Sequence, residues 1–169
     1  MNAEKAEFQV VTLGLGDEVF AVPVELVREI LDYRPPFGIP DGPPYFLGLT
    51  DVRGAGTPTI DLRLKLGLAP AAPSAATRIL VVDVPLADRV LSLGLVADRV
   101  FEVVSVRADG IEAAPDIGLR WRSDYISGVI RREGQFVVLF DMARLLTSSD
   151  AAVVDQAAAE SSLAQAECA

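Results

Sequence analysis

The sequence predicts an all-β protein with short helices, built from two similar small β units that each form a small barrel. Three observations support this prediction. Short runs rich in β-branched and aromatic residues alternate with turn residues, the second half repeats the first, and each half closes with a glycine turn and an Asp-capped helix. The chain has 169 residues and is 51% hydrophobic, enough for one ordinary domain or two very small ones with a shared core.

The first half is predicted to begin with a hairpin, FQVVTLGL (8–15) and EVFAVPV (18–24), around Gly16-Asp17. Pro23 suits the first turn of a helix, so VELVREIL is predicted to be helical. Its apolar stripe would be Leu26, Val27, Ile30 and Leu31. After a proline-rich stretch, YFLGLTDV predicts a strand and Gly54 and Gly56 a turn. Asp61 is expected to cap the helix LRLKL, which Gly67 ends.

The second half follows a linker, APAAPSAAT (69–77). Strands are predicted at 78–84, 90–96 and 99–106, followed by a looser stretch at 107–124. YISGVIR, a Glu133-Gly134 turn and QFVVLF then lead to Asp141, which should cap MARLL. Residues 149–169 form an acidic, alanine-rich tail that we expect to be partly helical or disordered.

A shift of 80 residues aligns the two halves with twelve identities, a modest excess over chance. The matched positions include Leu13-Gly14-Leu15 with Leu93-Gly94-Leu95, Tyr45 with Tyr125, Gly48 with Gly128, Gly54 with Gly134, and Asp61 with Asp141. Glycines and capping residues set backbone geometry, so we predict two repeats, at about 8–68 and 78–148. Gly48 and Gly128 would permit a bulge or tight bend.

Composition excludes several classes of function. A net charge of −9 and a sequence pI near 4.5 make nucleic acid and anionic membrane poor partners. The chain has no histidine, which removes Ser-His-Asp, Cys-His, HExxH and histidine-containing zinc sites. Its single cysteine, Cys168, lies next to the C-terminus. Catalysis by Asp, Glu or Lys stays open, but the chain has no GxxxxGK(S/T) or GxGxxG motif, so we expect no enzyme activity, no metal and no cofactor.

Nothing in the sequence predicts insertion into a membrane. No apolar run approaches the ~20 residues of a membrane helix, and MNAEKAEFQVV lacks the charged and apolar regions of a signal peptide. We expect a soluble, cytoplasmic protein.

Arg53 is the most informative polar residue, because the repeat places Glu133 at its position. It is either a solvated arginine paired with Asp51 or an anchor at an interface, since arginine is enriched at binding hot spots. Glu29 is either the polar flank of the predicted helix or part of a binding surface. Trp121 and Tyr125 are predicted to fill the core.

Three segments together resemble the CheW family. TDVRGAGTPTIDLRLKLGL is similar to its turn and Asp-Leu-Arg pattern, PVELVREIL to its Val-x-Glu-Ile segment, and YISGVIRREGQFVVLFDMARLL to its C-terminal signature. The resemblance covers about residues 8 to 147. It implies two five-stranded barrels, SH3- or OB-like, that partly exchange strands around a shared apolar core. Because the chain adds no kinase core or receiver domain, we expect a stand-alone adaptor.

The resemblance also implies a function. CheW-family proteins are chemotaxis coupling proteins that join the cytoplasmic tips of chemoreceptors to the regulatory domain of the histidine kinase CheA. The receptor-contacting positions map to Val27, Glu29, Gly48, Thr50, Arg53 and Gly54, in a groove between the barrels.

The chain departs from the family pattern at two places. Asp51 replaces the usual asparagine beside the arginine, where we expect it to pair with Arg53, and Thr57, Pro58 and Thr59 make a polar, proline-interrupted edge. The alternative to the adaptor is a double-barrel module that binds an oligosaccharide or an oligonucleotide.

Overall fold

The computed structural model describes residues 7–40, 42–112 and 125–146. In this part of the chain, eleven strands form two sheets, and a one-turn helix follows the last strand of each repeat. The strands are β1 (Glu7–Leu15), β2 (Glu18–Pro23), β3 (Val27–Asp32), β4 (Phe46–Val52), β5 (Ala55–Asp61), β6 (Arg78–Pro85), β7 (Val90–Ala97), β8 (Arg99–Arg107), β9 (Ile111–Glu112), β10 (Ile126–Arg132) and β11 (Gln135–Phe140). The helices are α1 (Leu62–Lys65) and α2 (Met142–Leu145). The predicted all-β class with short helices is confirmed.

Each sheet takes strands from both halves of the sequence. The six-stranded sheet has the order β8-β1-β2-β11-β10-β9, and the five-stranded sheet has the order β3-β6-β7-β5-β4. Both contain one parallel pair, β2 with β11 and β7 with β5, among antiparallel neighbours. The strand exchange that the family resemblance implied is therefore present. The sixth strand, β9, has only two residues, so the architecture stays close to two five-stranded units. The repeat boundaries at 68 and 78 stay a prediction.

The larger apolar cluster is shared by the two sheets. It joins Leu13 of β1 to Leu80 of β6 and Leu93 of β7, all fully buried. Phe20 and Phe140 stack within it, with ring centroids 4.9 Å apart. A smaller cluster lies wholly within the six-stranded sheet and contains Val10, Ala21, Val104, Val106, Ile130, Val137 and Leu139. Burial of this apolar surface is the main force that holds the two sheets together.

The prediction of a helix over VELVREIL is wrong. Only Val24–Leu26 forms a single 3-10 turn, and Val27–Asp32 is strand β3. Burial along β3 alternates with a period of two, so Ile30 lies 43% exposed instead of on an apolar helical stripe. This segment forms a strand because it pairs antiparallel with β6, which is more than forty residues away in sequence. Tertiary pairing of this kind overrides local helical periodicity.

The polar edge predicted at Thr57–Thr59 is also wrong. β5 lies between β7 and β4, and Thr57, Pro58 and Thr59 are all buried. The Thr59 hydroxyl lies 2.7 Å from the Thr50 hydroxyl and donates to the Thr57 carbonyl at 3.1 Å. Pairing with β7 begins only at Thr59, so Pro58, which has no N–H, precedes that part of the strand.

The constant shift of 80 residues holds for only part of the repeat. It correctly matches β4 with β10 and β5 with β11, but it matches β1 with β7. By sheet position β1 corresponds to β6, and β2 to β7, since β2 and β7 each lie in the parallel pair. The connection from β8 to β10 is longer than that from β3 to β4, so a single shift cannot align both parts. The Leu13-Gly14-Leu15 match is therefore not a structural equivalence.

Most short-range predictions are confirmed within the described ranges, but Gly56 lies in β5 and not in the predicted turn with Gly54. Gly16, with φ +61°, lies in the turn of the first hairpin. The Asp61 carboxylate accepts a hydrogen bond from Arg63 N at 2.8 Å, and the Asp141 carboxylate accepts one from Arg144 N at 3.2 Å. Tyr125 is buried, as expected of a core residue. The predictions for Trp121 and for the tail at 149–169 lie outside the described residues.

Candidate functional site

The β4–β5 hairpin presents Arg53 through its backbone geometry. Arg53 has φ +53° and Gly54 has φ +85°, both left-handed, as a type I′ turn requires at its two central positions. A non-glycine residue is uncommon in this region, and an arginine is not among the residues that favour it. The turn leaves the Arg53 side chain 82% exposed.

Glu29 is the ion-pair partner of Arg53. Arg53 Nε donates to Glu29 Oε2 at 3.0 Å, and the Glu29 side chain is only 18% exposed. Glu29 lies on β3, so the bond crosses from one edge of the five-stranded sheet to the hairpin at its other edge. The bond engages Nε, whereas the two Nη groups carry the other four N–H donors of the guanidinium.

The prediction of an ion pair between Asp51 and Arg53 is wrong. Asp51 Oδ1 instead accepts a hydrogen bond from the Gly54 N–H at 2.9 Å. Asp and Asn side chains commonly bond to nearby backbone groups in turns, and this one supports the turn that carries Arg53. Asp51 therefore shapes the turn, and Glu29 orients the arginine.

Gly48 allows β4 to lie close to the backbone at Phe37. The β4–β5 register shifts between Phe46 and Gly48, which marks the expected bulge. Gly48 has φ +132°, and a Cβ there would lie 2.0 Å from the carbonyl oxygen of Phe37. That close approach lets Phe37 form two backbone hydrogen bonds with Leu49, at 2.7 and 2.9 Å. Only glycine fits both requirements.

The six predicted receptor-contacting residues fall into two groups. Glu29, Arg53 and Gly54 come together at the surface. The others lie deeper: Gly48 and Thr50 are buried in β4, and Val27 is half-buried and packs against the shared core. The assignment of all six as receptor contacts stays a prediction.

Two exposed apolar residues, on β3 and in the segment before β4, were not predicted. Phe37 is 78% exposed and is bonded to β4, and Ile30, next to Glu29, is 43% exposed. The alternation in VREILD is a signal that reveals Ile30, once the segment is taken as a strand. Phe37 lies in a proline-rich stretch, where no periodic pattern exists to single it out.

Arg28, the other neighbour of Glu29, belongs to a separate polar cluster. Arg28 Nη2 lies 2.5 Å from Asp83 Oδ1 and donates to Ser92 Oγ at 3.0 Å, and Ser92 Oγ donates to the same Asp83 oxygen at 2.6 Å. Burial raises the pKa of Asp83, but the hydrogen bonds from Ser92 and Arg28 outweigh it and hold that pKa below 3.8. This cluster joins β3, β6 and β7.

The residues described by the structure contain no group of three or more Asp, Glu or Cys side chains arranged to hold a metal ion. Among these same residues, no helix has both the length and the apolar character needed to cross a membrane. The site is thus a surface of one ion pair on a left-handed turn. Such a surface suits protein recognition, because arginine is enriched at interface hot spots.

Comparison with known proteins decides the family. The CheW-like domain family model matches residues 9–150. The chain belongs to the CheW-like domain family. This CheW-family chain is 32% identical over 149 residues to "Probable chemotaxis protein CheW" of Rhizobium etli, covering 88% of this chain and 94% of that protein. It is 31% identical over 152 residues to "Chemotaxis protein CheW" of Klebsiella aerogenes, covering 90% and 88%.

A solved structure supports the fold of this CheW-family chain. The scaffolding protein TtCheW from Thermoanaerobacter tengcongensis matches with a TM-score of 0.75, covering 86% of this chain and 91% of that one. Its sequence identity is 21%, so this likeness bears on the fold alone. The two-barrel architecture predicted from the sequence agrees with it.

Proposed function

We propose that this chain is a non-enzymatic chemotaxis adaptor that couples chemoreceptors, the methyl-accepting chemotaxis proteins, to a CheA-type histidine kinase. Family membership supports the chemotaxis role, as do the names of its relatives. The partners are the cytoplasmic tip of the receptor and the regulatory domain of the kinase. The adaptor is cytoplasmic and is recruited to membrane-associated receptor arrays, with no cofactor, no nucleic acid and no insertion into the membrane.

The observation that carries the receptor assignment is the Glu29–Arg53 pair. An exposed ion pair adds little to folding, typically under about 1 kcal/mol. The left-handed backbone of Arg53 opposes folding slightly. An exposed, oriented arginine that adds little to folding is therefore better explained by binding than by stability.

The Glu29–Arg53 surface can receive a helical receptor tip. The Arg53 guanidinium can bond to carboxylate or carbonyl groups on a helix. Glu29 keeps the guanidinium in place before the partner arrives, which lowers the entropic cost of binding.

The test is a reconstituted assay that contains receptor, adaptor and kinase together. Arg53→Glu is expected to melt like the parent, because the side chain is exposed, and to bind the kinase regulatory domain normally. It is expected to lose receptor-coupled kinase activation, since an anchoring arginine contributes about 2 kcal/mol or more, roughly thirtyfold in affinity. Glu29→Lys is expected to fail in the same way.

The matched control is Arg131→Glu in the other barrel. Arg131 is 70% exposed and pairs with Glu112 at 3.2 Å, so its exposure and its ion pair resemble those of Arg53. It is expected to bind a receptor fragment as the parent does. Normal coupling by Arg53→Glu would show that Arg53 is only a solvated partner of Glu29, and equal losses in Arg53→Glu and Arg131→Glu would show a general charge effect.

A further inference from the structure

Helix α1 carries two cations that point to opposite sides. Arg63 and Lys65 are two positions apart, which is about 200° around a helix. Both are partly buried, although α1 has only one turn. In sequence, their partners adjoin strands of both sheets: Asp98 for Arg63, and Tyr45 and Tyr125 for Lys65.

Arg63 binds at the point where the chain passes from one sheet to the other. Its Nη1 lies 2.5 Å from Asp98 Oδ2, and its Nε donates to the Ala69 carbonyl at 2.8 Å. Asp98 is the single residue between β7 of the five-stranded sheet and β8 of the six-stranded sheet. The same Asp98 oxygen accepts the Gly16 N–H at 2.7 Å, in the turn between β1 and β2. One carboxylate thus joins α1 to the link between the two sheets and to the β1–β2 turn.

Lys65 lies between two tyrosine rings on the other side of α1. Its Nζ is 4.6 Å from the centroid of Tyr45 and 5.8 Å from that of Tyr125, within the range of cation–π attraction. Tyr45 precedes β4 of the five-stranded sheet, and Tyr125 precedes β10 of the six-stranded sheet. The two tyrosines are equivalent, since each carbonyl accepts the N–H of its own capping aspartate at 2.8 Å.

Helix α2 has no cation at the two positions that correspond to Arg63 and Lys65. The repeat places Ala143 at the position of Arg63 and Leu145 at that of Lys65. Ala143 is exposed and Leu145 is fully buried in the shared core. α2 therefore closes the core by apolar packing, whereas α1 makes directed polar contacts to both sheets.

We propose that α1 is an inter-barrel bracket, in which Arg63 and Lys65 hold the two barrels at one fixed relative orientation. Apolar packing resists separation of the barrels but is non-directional, so it sets their angle only weakly. A hydrogen-bonded ion pair and a cation between two rings depend on direction and distance, and they act on opposite sides of one helix. The proposal concerns this fold and does not depend on the receptor assignment.

The test measures the distance between the barrels by double electron–electron resonance. Spin labels are placed through Asp88→Cys, in the turn between β6 and β7, and Gln135→Cys, at the start of β11, with Cys168→Ser to remove the natural thiol. Both labelled positions are exposed. The combined Arg63→Met and Lys65→Met variant is expected to shift or broaden the distance distribution by about 2 Å, the scale of small interface movements.

Two further variants separate positioning from stability. Lys65→Arg keeps a cation over the rings and is expected to retain the parent distribution. Arg144→Met is the matched control, because Arg144 lies in α2, is 70% exposed and pairs with Asp141 of its own helix cap. It is expected to change nothing.

An unchanged distribution in the folded combined variant would overturn the proposal. If that variant does not fold, the same labels are measured in Lys65→Met and in Asp98→Asn, each of which removes one side of the bracket. Asp98→Asn keeps an acceptor for Gly16 but loses the charge that faces Arg63. Broadening in both singles supports the bracket, and a parent distribution in both rejects it.

Discussion

The β4–β5 and β10–β11 hairpins have the same turn backbone and different side chains. In the first, Arg53 and Gly54 have φ of +53° and +85°, and in the second, Glu133 and Gly134 have φ of +52° and +79°. Each hairpin follows a register shift, at Gly48 and at Gly128. The second hairpin also has a neighbouring ion pair, Arg132 with Glu102 of β8 at 3.3 Å.

This difference separates folding from recognition within one repeat. Features that recur in both hairpins, the two left-handed positions and the bulge, are those that the backbone needs. The feature that does not recur is the charge at the first turn position, arginine in one hairpin and glutamate in the other. The arginine is held by Glu29 and its side chain is exposed. The backbone does not require arginine at this position, so the side chain is available to bind a partner.

The bulge glycines should give the largest effect. Gly48→Ala would combine a left-handed φ with a clash against backbone, the Phe37 carbonyl at 2.0 Å. We expect it to lower the free energy of unfolding by about 3 kcal/mol or more. In Gly128→Ala the nearest atom is Ile111 Cγ2 at 2.3 Å, a side-chain atom that can move, so we expect about 1–2 kcal/mol.

Urea denaturation of both alanine variants measures this contrast. Equal losses would show that the two bulges are equally constrained, contrary to the geometry. If Gly48→Ala keeps parent stability but loses receptor coupling, Gly48 contacts the partner and is not only a backbone support.

Local features of this fold could be predicted from the sequence, and long-range ones could not. The hairpin at Gly16, the caps at Asp61 and Asp141 and the glycine turns depend on residues a few positions apart. Local periodicity predicts a helix at β3, whose conformation depends on pairing with the distant β6. The polar composition of β5 predicts an edge, but its partner β7 comes from the other half of the chain.

The same limit applies to the candidate site. Arg53 was identifiable because the repeat does not conserve its charge, and the family resemblance pointed to Glu29 as well. Their contact joins residues on different strands, so no local pattern predicts it. The nearest acidic residue in sequence, Asp51, was the natural candidate, but its carboxylate is occupied by the Gly54 N–H.

Asparagine at the first turn position should stabilise both hairpins alike. Asn tolerates a left-handed φ better than Arg or Glu, and Asn-Gly is the preferred type I′ pair. We expect Arg53→Asn and Glu133→Asn each to raise the free energy of unfolding by about 0.5 kcal/mol. Only Arg53→Asn should reduce receptor binding. Thermal melts and a receptor-fragment binding assay on both variants measure this, and equal binding by the two would show that Arg53 has no special role.

The smallest expected effect concerns Arg28, the neighbour of Glu29, and its partner Asp83. Burial raises the pKa of Asp83, but the hydrogen bonds from Ser92 and Arg28 lower it further, so the folded-state pKa lies below the ordinary value of 3.8. A carboxyl whose pKa is depressed on folding stabilises the protein above its unfolded pKa, and that stability is lost as pH falls through the folded pKa. The loss should therefore begin below about pH 4.

Asp83→Asn removes this titration and is the variant to compare with the parent. At pH 7 the parent is expected to be slightly more stable, and the difference should shrink as the pH falls below 4. The side chain is 37% exposed, so solvent screens the pair and the change is small. Glu29 lies next to Arg28 on β3 but has a different partner, so Asp83→Asn is expected to leave receptor coupling intact. Lost coupling in Asp83→Asn would mean that the two pairs act as one network, and Arg53 could then no longer be assigned a binding role independent of the rest of β3.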